Sequence, residues 1–299
     1  MTSTNLVAGV ELGGTKSITL LADGNQILRQ VSVPTRSPEE TLGRLAEQLK
    51  AWNAETPFAA LGIASFGPLQ LREDAEDYGR MLRTPKAGWS GAEILKQLTA
   101  PFSCPHQIDT DVNGAALAEY LWGAGAGCSS VCYITIGTGL GGGLLINGQP
   151  VHGAMHPEIG HLRLRRAPGD SFAGGCPFHG DCIEGLVAGP ALAARFGAPA
   201  ETVSDDHPHW AYVASDLAQL VCTLLLTTAP QRILFGGSVS NARGALLLAV
   251  VRQEVVRQLE SYLPFISPAT AGEIIRPAAL GDKAGPLGAV ALALRALGG

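Results

Sequence analysis

The sequence is poor in charged residues and contains no run of charges of one sign. Its 21 lysines and arginines stand against 26 aspartates and glutamates, which gives a formal net charge of −5. A nucleic-acid surface needs clustered Lys and Arg, because these side chains neutralise the phosphates. One small basic group is present (Arg163, Arg165 and Arg166), and its alternation with leucines favours the solvated face of a strand over an anion contact. We therefore expect no nucleic-acid partner.

The sequence also lacks the marks of secretion or membrane insertion. Its first residues show no basic stretch followed by a long apolar core. The apolar run at residues 220–230 is interrupted by threonines and Pro230, short of the ~18–20 residues that a membrane span needs. Cys104, Cys128, Cys132 and Cys222 lie scattered among small or apolar residues, which is typical of buried thiols rather than of a disulfide framework. A cytoplasmic protein with no membrane partner is expected.

Neither of two common nucleotide-binding motifs is present: the sequence has no G-x-x-x-x-G-K-[ST], and residues 137–142 lead into a second strand rather than a helix. Instead, glycine-rich turns follow apolar strands at residues 11–16, 137–143 and 235–238. Glycine lets the backbone adopt positive φ, and successive N–H groups in such turns bind anions. A hairpin would explain any one turn. Together, with Thr15, Thr138 and Lys16 adding hydroxyls and a cation, the turns predict phosphate binding.

The chain shows the same order of elements twice. Residues 7–64 read as three strands, a helix opened by Ser37-Pro38, and a buried strand, and a second strand, glycine turn and strand begin near Val131. This pattern predicts a duplicated α/β fold of two domains, with a cleft between the copies. We place the N-terminal domain at residues 1–120 and the C-terminal domain at residues 121–299. The last helix, residues 285–296, is expected to pack back on the first domain.

Two further segments carry reactive side chains. In residues 109–119, Asp109, Asp111 and Asn113 follow a strand and enter a helix of small residues, and a helix N-cap is the alternative interpretation of Asp111. In residues 161–182, His161 precedes the C-x-x-H-x-x-C run of Cys176, His179 and Cys182. Thiolate and imidazole ligands at this spacing favour tetrahedral zinc over core packing. Four protein ligands would make a closed, structural metal site.

Residues 11–16 (ELGGTK) resemble the D-x-G-G-T-K phosphate loop of the ROK family of sugar kinases, with Glu11 in place of the usual Asp. The resemblance covers nearly the whole chain, and it includes residues 109–119, 137–143, 156–161, 176–184 and 236–237. It implies the actin/hexokinase-like (ribonuclease H-like) fold, with ATP and sugar in the interdomain cleft and Mg²⁺ on the phosphates. A homodimer is also expected.

The resemblance assigns a role to each matching residue. Asp111 becomes the general base that takes the proton of the sugar hydroxyl, as phosphoryl transfer requires. The phosphates are assigned to Gly13, Gly14, Thr15, Lys16, Gly137, Thr138 and Gly139, and adenosine to Gly236 and Gly237. The sugar contacts are Gly67, Pro68, Thr110, Asp111, Glu158, His161 and Glu184. Zinc on His161, Cys176, His179 and Cys182 would fix the loop that carries Glu158 and Glu184, and His161 could touch the sugar through its other ring nitrogen.

Departures from the general family pattern indicate the fructokinase branch. Thr110 replaces the usual Asn, His179 replaces a Cys, and Thr84-Pro85-Lys86 with Gly88-Trp89 match that branch. The expected reaction is ATP-dependent phosphorylation of D-fructose at its 6-hydroxyl. The alternatives are a kinase for mannose, glucose or an N-acetylhexosamine, and a sugar-sensing ROK regulator. The regulator is disfavoured because its helix-turn-helix would have to precede Glu11, and a sugar-binding protein without activity is disfavoured by the intact Asp111.

Overall fold

The computed structural model describes residues 6–298, apart from the side chains of residues 242 and 243. The strands are β1 (Leu6–Leu12), β2 (Lys16–Asp23), β3 (Gln26–Pro34), β4 (Ala60–Ser65), β5 (His106–Thr110), β6 (Ser130–Ile136), β7 (Leu140–Ile146), β8 (Gln149–Pro150), β9 (Arg232–Gly236) and β10 (Ile275–Pro277). The helices are α1 (Pro38–Glu55), α2 (Ile94–Thr99), α3 (Asp111–Trp122), α4 (Ile183–Val187), α5 (Gly189–Phe196), α6 (His209–Thr227), α7 (Ser238–Leu259), α8 (Ala271–Ile274) and α9 (Ala284–Gly298).

The chain divides into two compact units. The first takes in the described chain up to Gly123, the segment Pro150–Pro157 and the residues from Asp282 onward. The second consists of Ala124–Gln149 and Glu158–Gly281. Two segments that are distant in sequence therefore pack with the first unit: the last helix, which the sequence predicts there, and Pro150–Pro157, which a single division at residue 120 assigns to the C-terminal domain.

Both units contain a five-stranded mixed sheet with the same arrangement. In the first unit the strand order is β3-β2-β1-β4-β5, with β1 antiparallel to β2 and parallel to β4. In the second unit the order is β10-β9-β6-β7-β8, with β6 antiparallel to β7 and parallel to β9. An antiparallel pair next to a parallel crossover thus occurs twice, as the duplicated fold predicted from the sequence requires.

Helices cover both faces of the first sheet. The apolar side of α1 buries Leu42, Leu45 and Leu49, and Ser37 caps this helix by accepting a hydrogen bond from the Glu40 N–H at 3.3 Å. Helix α9 packs against β1, β4 and α3, so the last helix belongs to the first unit. Gly62 of β4 permits this approach, because a Cβ at that position would overlap the backbone of Ala289.

The second unit has α6 as its central helix. This helix is long and apolar enough to cross a membrane, but more than half of that apolar stretch is buried inside the unit. It packs against α4 and α7. A helix that is apolar on most sides and mostly buried is typical of a protein core.

The basic group at residues 163–166 does not form a strand, so that interpretation was wrong. Arg163 instead pairs with Asp181 at 2.9 Å, and Arg166 pairs with Asp170 at 2.6 Å. Asp170 also pairs at 3.1 Å with the buried Arg195 of α5. Arg163 and Arg166 are therefore ion-paired within the protein. These pairs hold the segment next to the loop that contains Asp170 and Asp181.

Candidate active site and metal centre

The first glycine turn, residues 13–16, joins β1 to β2. The Gly13 N–H donates to the Lys16 carbonyl at 3.1 Å, and the Thr35 hydroxyl donates to the Gly13 carbonyl at 2.7 Å. A Cβ at Gly13 would lie 2.7 Å from the Lys16 oxygen, so this close turn requires glycine. Gly14, Thr15 and Lys16 are exposed. The turn is thus held from one side and leaves its hydroxyl and ammonium groups accessible to an anion.

A second lysine reaches the same turn. The Lys86 ammonium donates to the Gly14 carbonyl at 2.6 Å, across 72 positions of sequence. Its segment is anchored by Trp89, which is fully buried and donates from its ring N–H to the Arg36 carbonyl at 2.8 Å. The sequence motif identified Lys86 but gave it no role, because only the fold brings it to the glycine turn.

Asp111 is the first residue of α3. Thr110, not Asp111, is the N-cap: its hydroxyl accepts a hydrogen bond from the Asn113 N–H at 3.1 Å. The alternative interpretation of Asp111 as the cap is therefore wrong. The Asp111 Oδ1 accepts from the Val112 N–H at 2.9 Å. Burial, opposed in part by such backbone hydrogen bonds, raises the pKa of this carboxyl to about 6.

Glu11, at the end of β1, is a second perturbed carboxyl. Burial is the main cause that raises its pKa to about 7, the negative charge of Asp111 adds to the rise, and Lys16 opposes it. Gly285 makes room for this side chain, since a Cβ there would overlap the Glu11 carboxylate. The carboxyls of Glu11 and Asp111 interact electrostatically, and Lys16 and Lys86 lie at the adjoining glycine turn. The site therefore combines oxygen ligands with cations that can bind phosphate. This donor set fits Mg²⁺, which prefers oxygen ligands.

Gly67 and Pro68 lie next to Leu69, whose backbone N–H is hydrogen-bonded to a histidine. Their peptide bond is cis, and the Leu69 N–H donates to the His156 Nε2 at 3.0 Å. His156 is 5% exposed, and burial lowers its pKa, so its neutral, accepting form is favoured. The structure therefore gives His156 a structural contact.

In the second unit, the four predicted metal ligands come together. One ligand atom from each of His161, Cys176, His179 and Cys182 lies within 4.8 Å of the others. The His161 Nδ1 is 3.8 Å from the Cys176 sulfur and 3.6 Å from the Cys182 sulfur. The His179 Nδ1 is 3.8 Å from the Cys176 sulfur.

Local backbone geometry explains this convergence. Cys176 and Gly180 exchange two backbone hydrogen bonds, at 3.0 and 2.9 Å, which closes a tight turn around His179. Gly180 has φ of 66°, a conformation that glycine adopts without strain. Zinc bonds of about 2.0–2.3 Å in a tetrahedron place ligand atoms about 3.3–3.8 Å apart. The three distances agree with that spacing, so the residues fit a zinc ion.

The second glycine turn, residues 137–143, lies next to Glu184. The Glu184 Oε2 accepts a hydrogen bond from the Leu140 N–H at 3.1 Å, and a Cβ at Gly139 would lie 2.7 Å from the same oxygen. Glu184 lies in the first turn of α4, whose N-cap is Cys182. The metal cluster and the glycine turn are thereby joined through one short helix.

The remaining predicted residues of this unit occupy different environments. Glu158 is exposed and immediately precedes the short helical turn Ile159–His161. Gly237 has φ of 86°, and a Cβ there would lie 2.5 Å from the Ile136 oxygen, so glycine is required by the packing of β9 on β6. Gly237 therefore has a structural reason that is independent of any adenosine contact.

Comparisons with known proteins place these features in a family. A model of the ROK family matches residues 7–296. The chain belongs to the ROK family. This ROK protein is 43% identical over 293 residues to the fructokinase of Zymomonas mobilis, which covers 96% of both chains. It is 35% identical over 293 residues to the fructokinase of Pediococcus pentosaceus, covering 98% of this chain and 99% of that one.

Among solved structures, the ROK hexokinase of Thermus thermophilus is similar to this ROK protein, with a TM-score of 0.78 and 28% identity. The similarity covers 98% of this chain and 100% of that one. Together with the repeated sheet topology, it confirms the α/β actin/hexokinase-like fold expected from the sequence. Fold alone does not determine chemistry. The chemistry depends on the site residues of this chain.

Proposed function

We propose that this ROK protein phosphorylates D-fructose at its 6-hydroxyl with ATP as the phosphoryl donor. One observation carries the proposal: Asp111 is placed at the start of α3 with its pKa raised to about 6. A general base works best with a pKa close to the working pH, and a hydroxyl nucleophile needs such a base. The 35–43% identity to fructokinases over nearly the whole chain supports fructose as the acceptor.

In this proposal the first unit carries the base and a phosphate site. Asp111 accepts the hydroxyl proton, with Thr110, Gly67 and Pro68 contacting the sugar. The exposed groups of residues 13–16 bind phosphate, and Lys86 adds a further ammonium there, since it already donates to Gly14. Glu11 and Asp111 offer carboxylate oxygens for Mg²⁺, which neutralises charge on the phosphates when bound.

The second unit carries the remaining phosphate and sugar contacts. Residues 137–139 bind phosphate and Gly236-Gly237 lie near adenosine. Glu158, His161 and Glu184 contact the sugar. Zinc on His161, Cys176, His179 and Cys182 has a structural role, because four protein ligands leave no open position for a substrate. It holds the start of α4, and therefore Glu184, in place. We also propose a cytoplasmic homodimer with no nucleic-acid or membrane partner.

The direct test is a side-by-side measurement of ADP release with fructose, mannose, glucose and N-acetylmannosamine. We expect kcat/KM to be highest for fructose. A clear preference for another hexose would keep the kinase and change its substrate. No ADP release with any hexose, from protein that binds ATP, would reject the proposal in favour of a sugar-sensing role.

A further inference from the structure

The segment Pro150–Pro157 belongs to the first unit, although the chain before and after it belongs to the second. Two histidines attach it. His156 accepts from the Leu69 N–H, as described above, and His152 contacts Asp109 of β5. Neither His152 nor Asp109 has a role in the reaction proposed so far.

Asp109 is a fully buried carboxylate. Its Oδ1 accepts from the Thr110 N–H at 2.7 Å, from the Asn113 side-chain amide at 2.8 Å and from the His152 Nε2 at 3.2 Å. Its Oδ2 lies 3.1 Å from the same His152 nitrogen and has no hydrogen-bond partner of good geometry among the described residues. His152 is thus the basic side chain in contact with this carboxylate.

A buried charge must be paired, because transfer out of water removes its solvation. The His152 side chain is 35% exposed, so it can exchange protons with solvent. Its hydrogen bond with Asp109 is the main cause that raises its pKa, with Glu73 adding to the rise and burial and Arg295 opposing it. Burial lowers the pKa of the neighbouring His156, whose Nε2 accepts a hydrogen bond from the Leu69 N–H. The balance of these groups favours the imidazolium form beside Asp109.

Asp109 also organises the turn that carries Asp111. Its carboxylate holds Thr110 on one side of Asp111 and Asn113 on the other. Thr110 and Asn113 are themselves joined through the N-cap hydrogen bond of α3. The Asp111 backbone therefore lies between two residues that one carboxylate holds, and the position of Asp111 depends on that carboxylate remaining in place.

We propose that cationic His152 is a positioning residue that neutralises Asp109 and thereby fixes the Thr110–Asn113 turn that holds the general base Asp111. The inference rests on the proposed function, because it assigns Asp111 as the base. It assigns the 150–157 segment the role of positioning the general base, although the segment takes no direct part in the reaction. His152 acts through Asp109, and it leaves ATP binding unaffected.

The test is a double-mutant cycle of His152→Leu and Asp109→Asn, with kcat and both KM values measured for each variant. We expect His152→Leu alone to lower kcat about tenfold or more and to leave KM for ATP within about twofold. In the Asp109→Asn background, where no charge needs a partner, the same substitution should cost less than about threefold. His152→Gln, which keeps a donor and lacks the charge, provides a second cycle if the leucine variant folds poorly. The matched control is His106→Leu, an exposed histidine at the start of the same strand, which should leave kcat unchanged.

Two results would overturn the inference alone: additive effects in the cycle, or wild-type kcat in His152→Leu. A purely structural role would lower the free energy of unfolding of both histidine variants without changing kcat per folded molecule, which also counts against it. Circular dichroism and chemical unfolding separate these cases. If the wild-type protein phosphorylates no hexose, the proposed function fails and the inference fails with it, so the two failures are distinguishable.

Discussion

The raised pKa of Asp111 makes a quantitative prediction for the pH dependence of the reaction. A pKa of about 6 leaves about 90% of this carboxyl ionised at pH 7 and about 10% at pH 5. Because the ionised form is the base, kcat/KM should fall about tenfold between pH 7 and pH 5. An Asp with its ordinary pKa of 3.8 would lose less than about 10% of its activity over the same interval.

The measurement is ADP formation by chromatography at pH 5 to 8, which avoids coupling enzymes that have their own pH dependence. Glu11, with a pKa of about 7, also titrates in this pH range and would contribute to the fall of kcat/KM on the acid side. Glu11→Gln is therefore the control. If kcat/KM of this variant still falls with a midpoint near pH 6, the titration is that of Asp111. A kcat/KM that stays constant down to pH 5 would refute the inference that burial raises the pKa of the catalytic base.

Protonation of Asp111 does not itself favour unfolding over this interval. A carboxyl whose pKa is higher in the folded state binds more protons folded than unfolded between pH 3.8 and about 6. Its contribution therefore stabilises the fold as the pH falls through that window and disfavours it as the pH rises. The rise from 3.8 to about 6 corresponds to about 3 kcal/mol at most. Asp111→Asn should accordingly be at least as stable as wild type at pH 7, although its kcat is much lower.

Four further predictions concern the site residues. Asp111→Asn should lower kcat about 100- to 10,000-fold with sugar and ATP binding retained, as measured by calorimetry, and near-normal turnover would reject Asp111 as the base. Purified protein should contain about one zinc per chain by elemental analysis. Cys176→Ala should remove that zinc and weaken fructose binding more than ATP binding, whereas Cys128→Ala in the same unit should keep it. Lys86→Met should lower kcat/KM for ATP about tenfold or more while Lys96→Met, whose ammonium pairs with Glu93 at 3.0 Å on α2, should not. Equal effects of the two lysine substitutions would argue against a phosphate contact of Lys86.

Much of the first unit and of the metal cluster could be predicted because the relevant signals are local. The Ser37-Pro38 start of α1 depends on residues within one turn, and the cap is present as expected. The ligands Cys176, His179 and Cys182 lie within seven residues. Their tight turn is closed by backbone hydrogen bonds between Cys176 and Gly180, so their spacing already limits how far apart they can lie. The strand interpretation of Arg163–Arg166 failed because alternation cannot distinguish a strand from a loop whose arginines pair with distant carboxylates.

The sequence by itself determined the glycine turns, the metal-ligand spacing and the repeated order of strands, since each depends on residue type at short separation. Only the tertiary structure decided which distant residues meet. It brought Lys86 to Gly14 and His152 to Asp109, and it placed the segment Pro150–Pro157 in the first unit. It also decided the pKa values of Asp111 and Glu11, because burial is a property of the whole packed unit rather than of neighbouring residues.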